Sequence, residues 1–170
     1  MKKLFNTKQL CRAGIIAALY VVFTYVFLPF AFGPIQIRPA EALCILPLFF
    51  PEAVPALYVG CMIVNFSSAY ALYDVLFGSL ATLIAAFGTY MVGSFLKKGV
   101  WKVLIGGLFP VVCNTLIIPL IIVFLCRDVG QMSATVAYWT YASSIFFTEC
   151  IWVYGLGAPL YAVLSKQKDK

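Results

Sequence analysis

Eight side chains in this sequence combine the types and surroundings needed to read a small molecule: Gln36, Arg38, Glu41, Asn65, Asp74, Asn114, Trp139 and Glu149. A carboxylate can accept paired N–H donors, an amide or guanidinium can meet a carbonyl, and an aromatic face can stack on a flat ring. This is equipment for holding a planar polar ligand. Histidine is absent, which removes the commonest general base and metal ligand. The six cysteines stand singly with no metal-ligand spacing and read as buried, reduced thiols. No Walker-type phosphate loop is present. Neither a metal nor a cofactor is expected. The alternative from another class is an intramembrane enzyme using Glu149 or Asp74 for acid–base work, but the sequence has no paired-acid motif or nucleophile constellation to support it.

Each candidate also has a plainer reading. Arg38-Pro39-Ala40-Glu41 places Glu41 in the first turn of a helix beginning at about Pro39, where proline fits and the helix dipole favours an anion. Glu41 is then either half of an ion pair capping that helix, or an acceptor at the mouth of a pocket with Gln36 or Arg38 addressing a carbonyl. Asn114 lies about eleven residues, roughly 16 Å, into its helix. It either contacts a ligand or satisfies carbonyls freed by Pro110 and Pro119. Glu149 lies near the middle of a long apolar segment; it is either a functional group, the default for an ionisable residue there, or a protonated acid hydrogen-bonded to Thr148, a tyrosine or backbone. Asn65 and Asp74 serve either as helix caps or as ligand contacts. Tyr70, Tyr73, Tyr138, Trp139 and Tyr141 fall at one level, as an interfacial belt or in part as a stacking face. Arg127-Asp128 reads as a solvated pair, and Glu52 as a helix start or a contact for a partner.

The elements that must position these residues follow from composition. Of 170 residues, 64% are hydrophobic and 11% charged, with a mean hydropathy of +1.00. Soluble domains carry roughly 25% charge, so this is an all-α integral membrane protein. Apolar runs at about 10–28, 73–96, 103–126 and 135–165 each approach or exceed the ~20 residues a bilayer core requires. The run from Ala40 to Phe66, interrupted by Pro47, Pro51, Glu52 and Pro55, reads as two short helices joined by a turn at Pro51-Glu52. The expected layout is six transmembrane helices, the second and third short, in a single domain over residues 1–170. One kinked helix in place of the two, giving five spans, is the runner-up.

Charge placement separates these counts. With six helices, Lys2, Lys3, Lys8, Arg12, Lys97, Lys98, Lys102, Lys166, Lys168 and Lys170 share one side, leaving Arg38 and Arg127 opposite. The positive-inside rule then puts both termini in the cytoplasm. The net charge of +6 needs no nucleic-acid partner. The basic, apolar start reads as a retained first helix because its run outlasts a signal-peptide core and lacks a convincing cleavage site. Connections at 29–39, 67–74 and 127–133 make the outer face the side for a ligand. In the first helix, Ala13 and Ala17 share one face beside Gly14 and Ala18. Small residues at this spacing let backbones approach closely, either within this chain or against a partner helix.

The run from Gln36 to Leu43, followed by Leu46-Pro47, Pro51-Glu52-Ala53 and Gly60-Cys61-Met62-Ile63-Val64-Asn65, resembles the QueT family. These are S-components, the substrate-binding membrane subunits of energy-coupling-factor (ECF) transporters. Ala13 and Ala17 also look like the S-component motif that packs on the transmembrane coupling subunit. The resemblance implies a multi-pass protein of the cell membrane that captures its cargo outside, docks on a coupling subunit and two ATPase subunits, and topples to release that cargo. The implied cargo is a queuosine precursor, a planar 7-deazaguanine base, with another vitamin on the same fold as the alternative. Glu41 or Glu149 would read the base edge, Asn114, Asn65 and Gln36 would supply amide contacts, and Asp74 would meet a cationic aminomethyl tail.

Overall fold

The structure is a computed structural model describing residues 6–32, 36–97 and 99–168. Lys2, Lys3, Lys98 and Lys170 of the basic residues tallied above lie outside the described residues, as do residues 33–35 of the outer loop. The regular structure among the described residues is all helical, with no strand among them. Four helices are long and apolar enough to cross a membrane: α1 (Thr7–Val26), α3 (Ala71–Phe95), α4 (Val100–Leu125) and α5 (Ala134–Gln167). Two shorter apolar helices occupy the proline-rich stretch, namely Pro39–Leu48 and α2 (Ala53–Asn65). A turn at Pro51-Glu52 separates them, because Phe50, the residue before Pro51, is disfavoured in the helical region.

Pro39–Leu48 departs from the ordinary α-helix expected there. It is wound as a 310 helix for all ten residues, every one of them buried. Such runs usually stop after three or four residues. This one packs against all of α1, α2, α3, α4 and α5, so enclosure by protein, not intrinsic preference, sets its winding. The narrower, more extended rod gains depth: at about 2.0 Å per residue it covers roughly 20 Å, against about 15 Å for an α-helix of equal length.

Close packing around the rod requires missing side chains. A Cβ on Gly93 of α3 would stand 2.7 Å from the Leu48 carbonyl oxygen, and one on Gly60 of α2 would stand 3.2 Å from the Ala17 carbonyl oxygen. The largest apolar core joins Ile16 and Tyr20 of α1, Ala40 and Leu43 of the 310 helix, Leu57 and Val64 of α2, and Ala86 of α3.

The two ends of the assembly differ in chemistry. At one end, Arg12 bonds Glu52 at 2.6 Å and lies 4.3 Å from the centre of the Phe50 ring. Phe49 stacks near Tyr161 at 4.9 Å and approaches the Lys102 ammonium at 5.9 Å. Basic residues from α1 and α4 therefore gather around the 49–52 turn. At the other end, two helices are locally widened into π geometry, at Asp74–Gly78 of α3 and Ile121–Leu125 of α4. Such bulges re-aim side chains and recur at functional sites.

Gly93→Ala should force α3 away from the 310 helix and cost about 1–3 kcal/mol, the usual penalty for overpacking. Thermal melting of the detergent-purified protein measures this, and an unchanged midpoint would contradict the close approach.

Candidate functional site

The 310 winding builds the core of the site. With three residues per turn, positions i and i+3 stand above one another, so Arg38, Glu41 and Cys44 line up on one face. The Arg38 Nε lies 3.9 Å from Glu41 Oε1, and the Cys44 thiol donates to Glu41 Oε2 at 3.1 Å. Arg38 is 8% exposed and Glu41 2%, so both charges depend on protein partners.

Those partners come from three other helices. Tyr20 of α1 donates its hydroxyl to Glu41 Oε1 at 2.6 Å and accepts from Arg38 Nη2 at 3.4 Å. Asn65, at the end of α2, accepts from the same Nη2 at 3.4 Å and donates to the Asp74 carbonyl oxygen at 2.7 Å. Asn114 of α4 donates to Glu149 Oε1 of α5 at 2.7 Å and, more distantly, to Glu41 Oε2 at 3.5 Å. Its amide thus serves two carboxylates and not the carbonyls loosened by Pro110 and Pro119. Two buried atoms in this network, Arg38 Nε and Glu149 Oε2, have no hydrogen-bond partner among the described residues.

Above the network opens a cavity of about 210 Å3, lined among others by Phe32, Gln36, Arg38, Asn65, Asp74 and Tyr141. Arg38 joins the two levels: it lines the cavity and touches the acidic layer of Glu41, Asn114 and Glu149 behind it. Those three residues do not line the cavity. Ile118 lines it one helical turn from Asn114 and packs with Ile121 and Ile145. The chemistry on offer is therefore a guanidinium and two amides for carbonyls, a carboxylate for cations or N–H donors, and aromatic walls for a flat ring.

The structure brings together Gln36, Arg38, Asn65 and Asp74 at the cavity, and Glu41, Asn114 and Glu149 behind it. Trp139 stands apart: it is 64% exposed, packed edge-on against Tyr138. Asp74 accepts a bond from the Ser68 hydroxyl. Arg127 and Asp128, read from sequence as a pair, form no ion pair. Asp128 instead lines the cavity and accepts from the Tyr70 hydroxyl at 3.3 Å. The Asp128 carboxylate raises the Tyr70 phenol above its usual range, which keeps that proton in place as the donor. Tyr20 and Cys44 are site residues that the sequence reading passed over. Their signals were present: Ile16, Tyr20 and Thr24 recur every four residues as the buried face of α1, and Cys44 follows Glu41 by one 310 turn.

Ala13 and Ala17 lie elsewhere, in a groove of about 270 Å3 between α1 and α2 that Gly14, Pro55, Ala56 and Val59 also line. Glu52 also lines this groove. It is 1% exposed and held by Arg12.

Asn114→Leu would leave the Glu149 carboxyl buried without its donor and should lower stability by about 2 kcal/mol. Adding Glu149→Leu should recover much of that loss in a melting experiment, and equal destabilisation with and without Glu149 would dissociate the two residues.

Comparison with known proteins places this arrangement. A relative named queuosine precursor transporter QueT, from Lactococcus lactis subsp. cremoris (strain MG1363), is 35% identical over 105 residues, which cover 60% of this chain and 61% of that relative. The chain thus matches about three fifths of that relative's length. No solved structure matches. The family described as QueT transporter matches from residue 10 to residue 166, nearly the whole of the helical assembly, and the chain belongs to the QueT transporter family.

Proposed function

We propose that this protein is the substrate-binding subunit of an ECF-type transporter and takes up a queuosine precursor, a planar 7-deazaguanine base, from the outer face of the cell membrane. The observation that carries this reading is the cavity where Arg38, Gln36, Asn65 and Asp74 converge, in a chain of a transporter family whose named relative handles a queuosine precursor. Arg38 or Gln36 meets the base carbonyl, Asn65 and Asp74 take its N–H groups or a cationic tail, and Tyr141 offers a ring face. Glu41, Asn114 and Glu149 act from behind by fixing Arg38 and the floor.

In this reading the chain crosses the membrane six times, with the 310 helix and α2 as two short crossings joined at the 49–52 turn and both termini in the cytoplasm. Ten of the twelve Lys and Arg residues then fall on the cytoplasmic side, as the positive-inside rule requires. The cavity opens outward, opposite the basic end. ATP hydrolysis belongs to two partner ATPases, and the Ala13–Ala17 groove receives the transmembrane coupling subunit, because small side chains permit close backbone approach in lipid.

Binding is measured as thermal stabilisation of the detergent-purified protein. 7-Deazaguanines should stabilise it, whereas riboflavin, thiamine and biotin should not; the reverse pattern overturns the cargo. By loosening the network that fixes Arg38 and the floor, Glu41→Gln and Glu149→Gln should each weaken base binding by about tenfold. Unchanged affinity in both variants would remove the acidic layer from recognition. Ala13→Leu or Ala17→Leu should abolish uptake in cells while solubilised binding persists, whereas loss of binding itself would assign those alanines to internal packing.

A further inference from the structure

The Arg38–Glu41 pair has an unusual geometry for oppositely charged neighbours one turn apart in a dry interior. Their closest approach is 3.9 Å, too long for a hydrogen bond, although a guanidinium and a carboxylate form short, forked contacts wherever geometry allows. The Tyr20 oxygen occupies the contact instead, donating to Glu41 at 2.6 Å and accepting from Arg38 at 3.4 Å. Tyr20 is 0% exposed, and its Cβ would lie 3.2 Å from a Cβ on Gly60, so helix packing fixes where that oxygen stands. Thr24 ties the same turn by bonding the Tyr20 carbonyl at 2.8 Å.

This arrangement leaves Arg38 under-used. Its other contacts are a 3.4 Å bond to Asn65, a 3.8 Å contact to the Cys61 sulfur and the Phe32 ring 5.5 Å away, and its Nε has no hydrogen-bond partner among the described residues. A guanidinium closed onto Glu41 in a fork would have spent the donors that a ligand carbonyl needs. We propose that Tyr20 is a positioning residue of the binding site: its hydroxyl stands between Arg38 and Glu41, satisfies the carboxylate, and so holds the guanidinium donors available to the cargo. This rests on the reading of the Arg38-lined cavity as the cargo site.

A double-mutant cycle on the full-length purified protein tests the role, with a 7-deazaguanine base as the probe and titration calorimetry as the readout. Tyr20→Phe keeps the ring against Gly60 and removes one oxygen. It lets Arg38 close on Glu41 and weakens base binding by about tenfold. In a Glu41→Gln background the guanidinium has no carboxylate to close on, so Tyr20→Phe changes affinity by less than about twofold, the non-additivity expected of residues acting on one another. A factor equal in both backgrounds marks Tyr20 as ordinary packing and overturns the proposal, as does full affinity in Tyr20→Phe alone. Tyr20→Leu, measured in the same two backgrounds, applies the same criterion if the Phe variant cannot be purified. Failure of the unaltered protein to bind any 7-deazaguanine sinks the cargo reading itself and takes this inference with it.

Discussion

A carboxylate removed from water costs several kcal/mol even after the protein relaxes around it, and this chain removes three. Glu41, Glu52 and Glu149 are all buried, half of the six acidic residues in the sequence. Each is answered differently. Glu52 takes one guanidinium at the edge of the assembly, Glu149 takes one amide, and Glu41 collects a phenol, a thiol and a share of that amide beside Arg38. The helix arrangement follows from these needs: α1 must bring Tyr20, α4 must bring Asn114 and α2 must bring Asn65 to a single rod. Apolar contacts between helices have no such selectivity in lipid, where a leucine is as well solvated by acyl chains as by another helix.

Much of the frame was legible because it depends on segment length alone. Apolar runs expected at about 10–28, 73–96, 103–126 and 135–165 correspond to Thr7–Val26, Ala71–Phe95, Val100–Leu125 and Ala134–Gln167. The Pro51-Glu52 turn was legible because Pro51 disfavours a helical Phe50 while Glu52 suits the start of the next helix. The 310 winding was not, since the same ten residues would form an ordinary helix if fewer neighbours enclosed them. Arg38, Glu41, Asn114 and Glu149 drew notice by being polar in an apolar chain, and they meet in one network. Tyr20 and Cys44 escaped notice because tyrosine and cysteine are common in membrane helices, and only their registry with Glu41 distinguishes them. Asp128 was set aside because a charged neighbour in sequence seemed a sufficient partner. Arg127, with φ of +56°, sits at a backbone bend that carries the two side chains to different places.

One helix serves two faces of the molecule. α1 presents Ala13 and Ala17 to the groove beside α2, and one turn further on presents Tyr20 to the charged network. Gly60 of α2 faces both: a Cβ placed on it would stand 3.2 Å from the Ala17 carbonyl oxygen and 3.2 Å from the Tyr20 Cβ. The α1–α2 contact is therefore too close to slide without disturbing the tyrosine, and a packed interface of this kind shifts between discrete arrangements more readily than it deforms.

The buried 310 rod also constrains how the protein is made. At roughly 20 Å it falls short of the ~30 Å hydrocarbon layer, and it carries Glu41 within and Arg38 at its start. Left alone in the bilayer it would expose an acid and a base to acyl chains and could not reach across. Its neighbours α3, α4 and α5 all follow it in the chain. Made before α2, α3, α4 and α5, the segment is fully enclosed only once the last of them has been made, so a chain truncated before α5 lacks part of the protein that covers this rod.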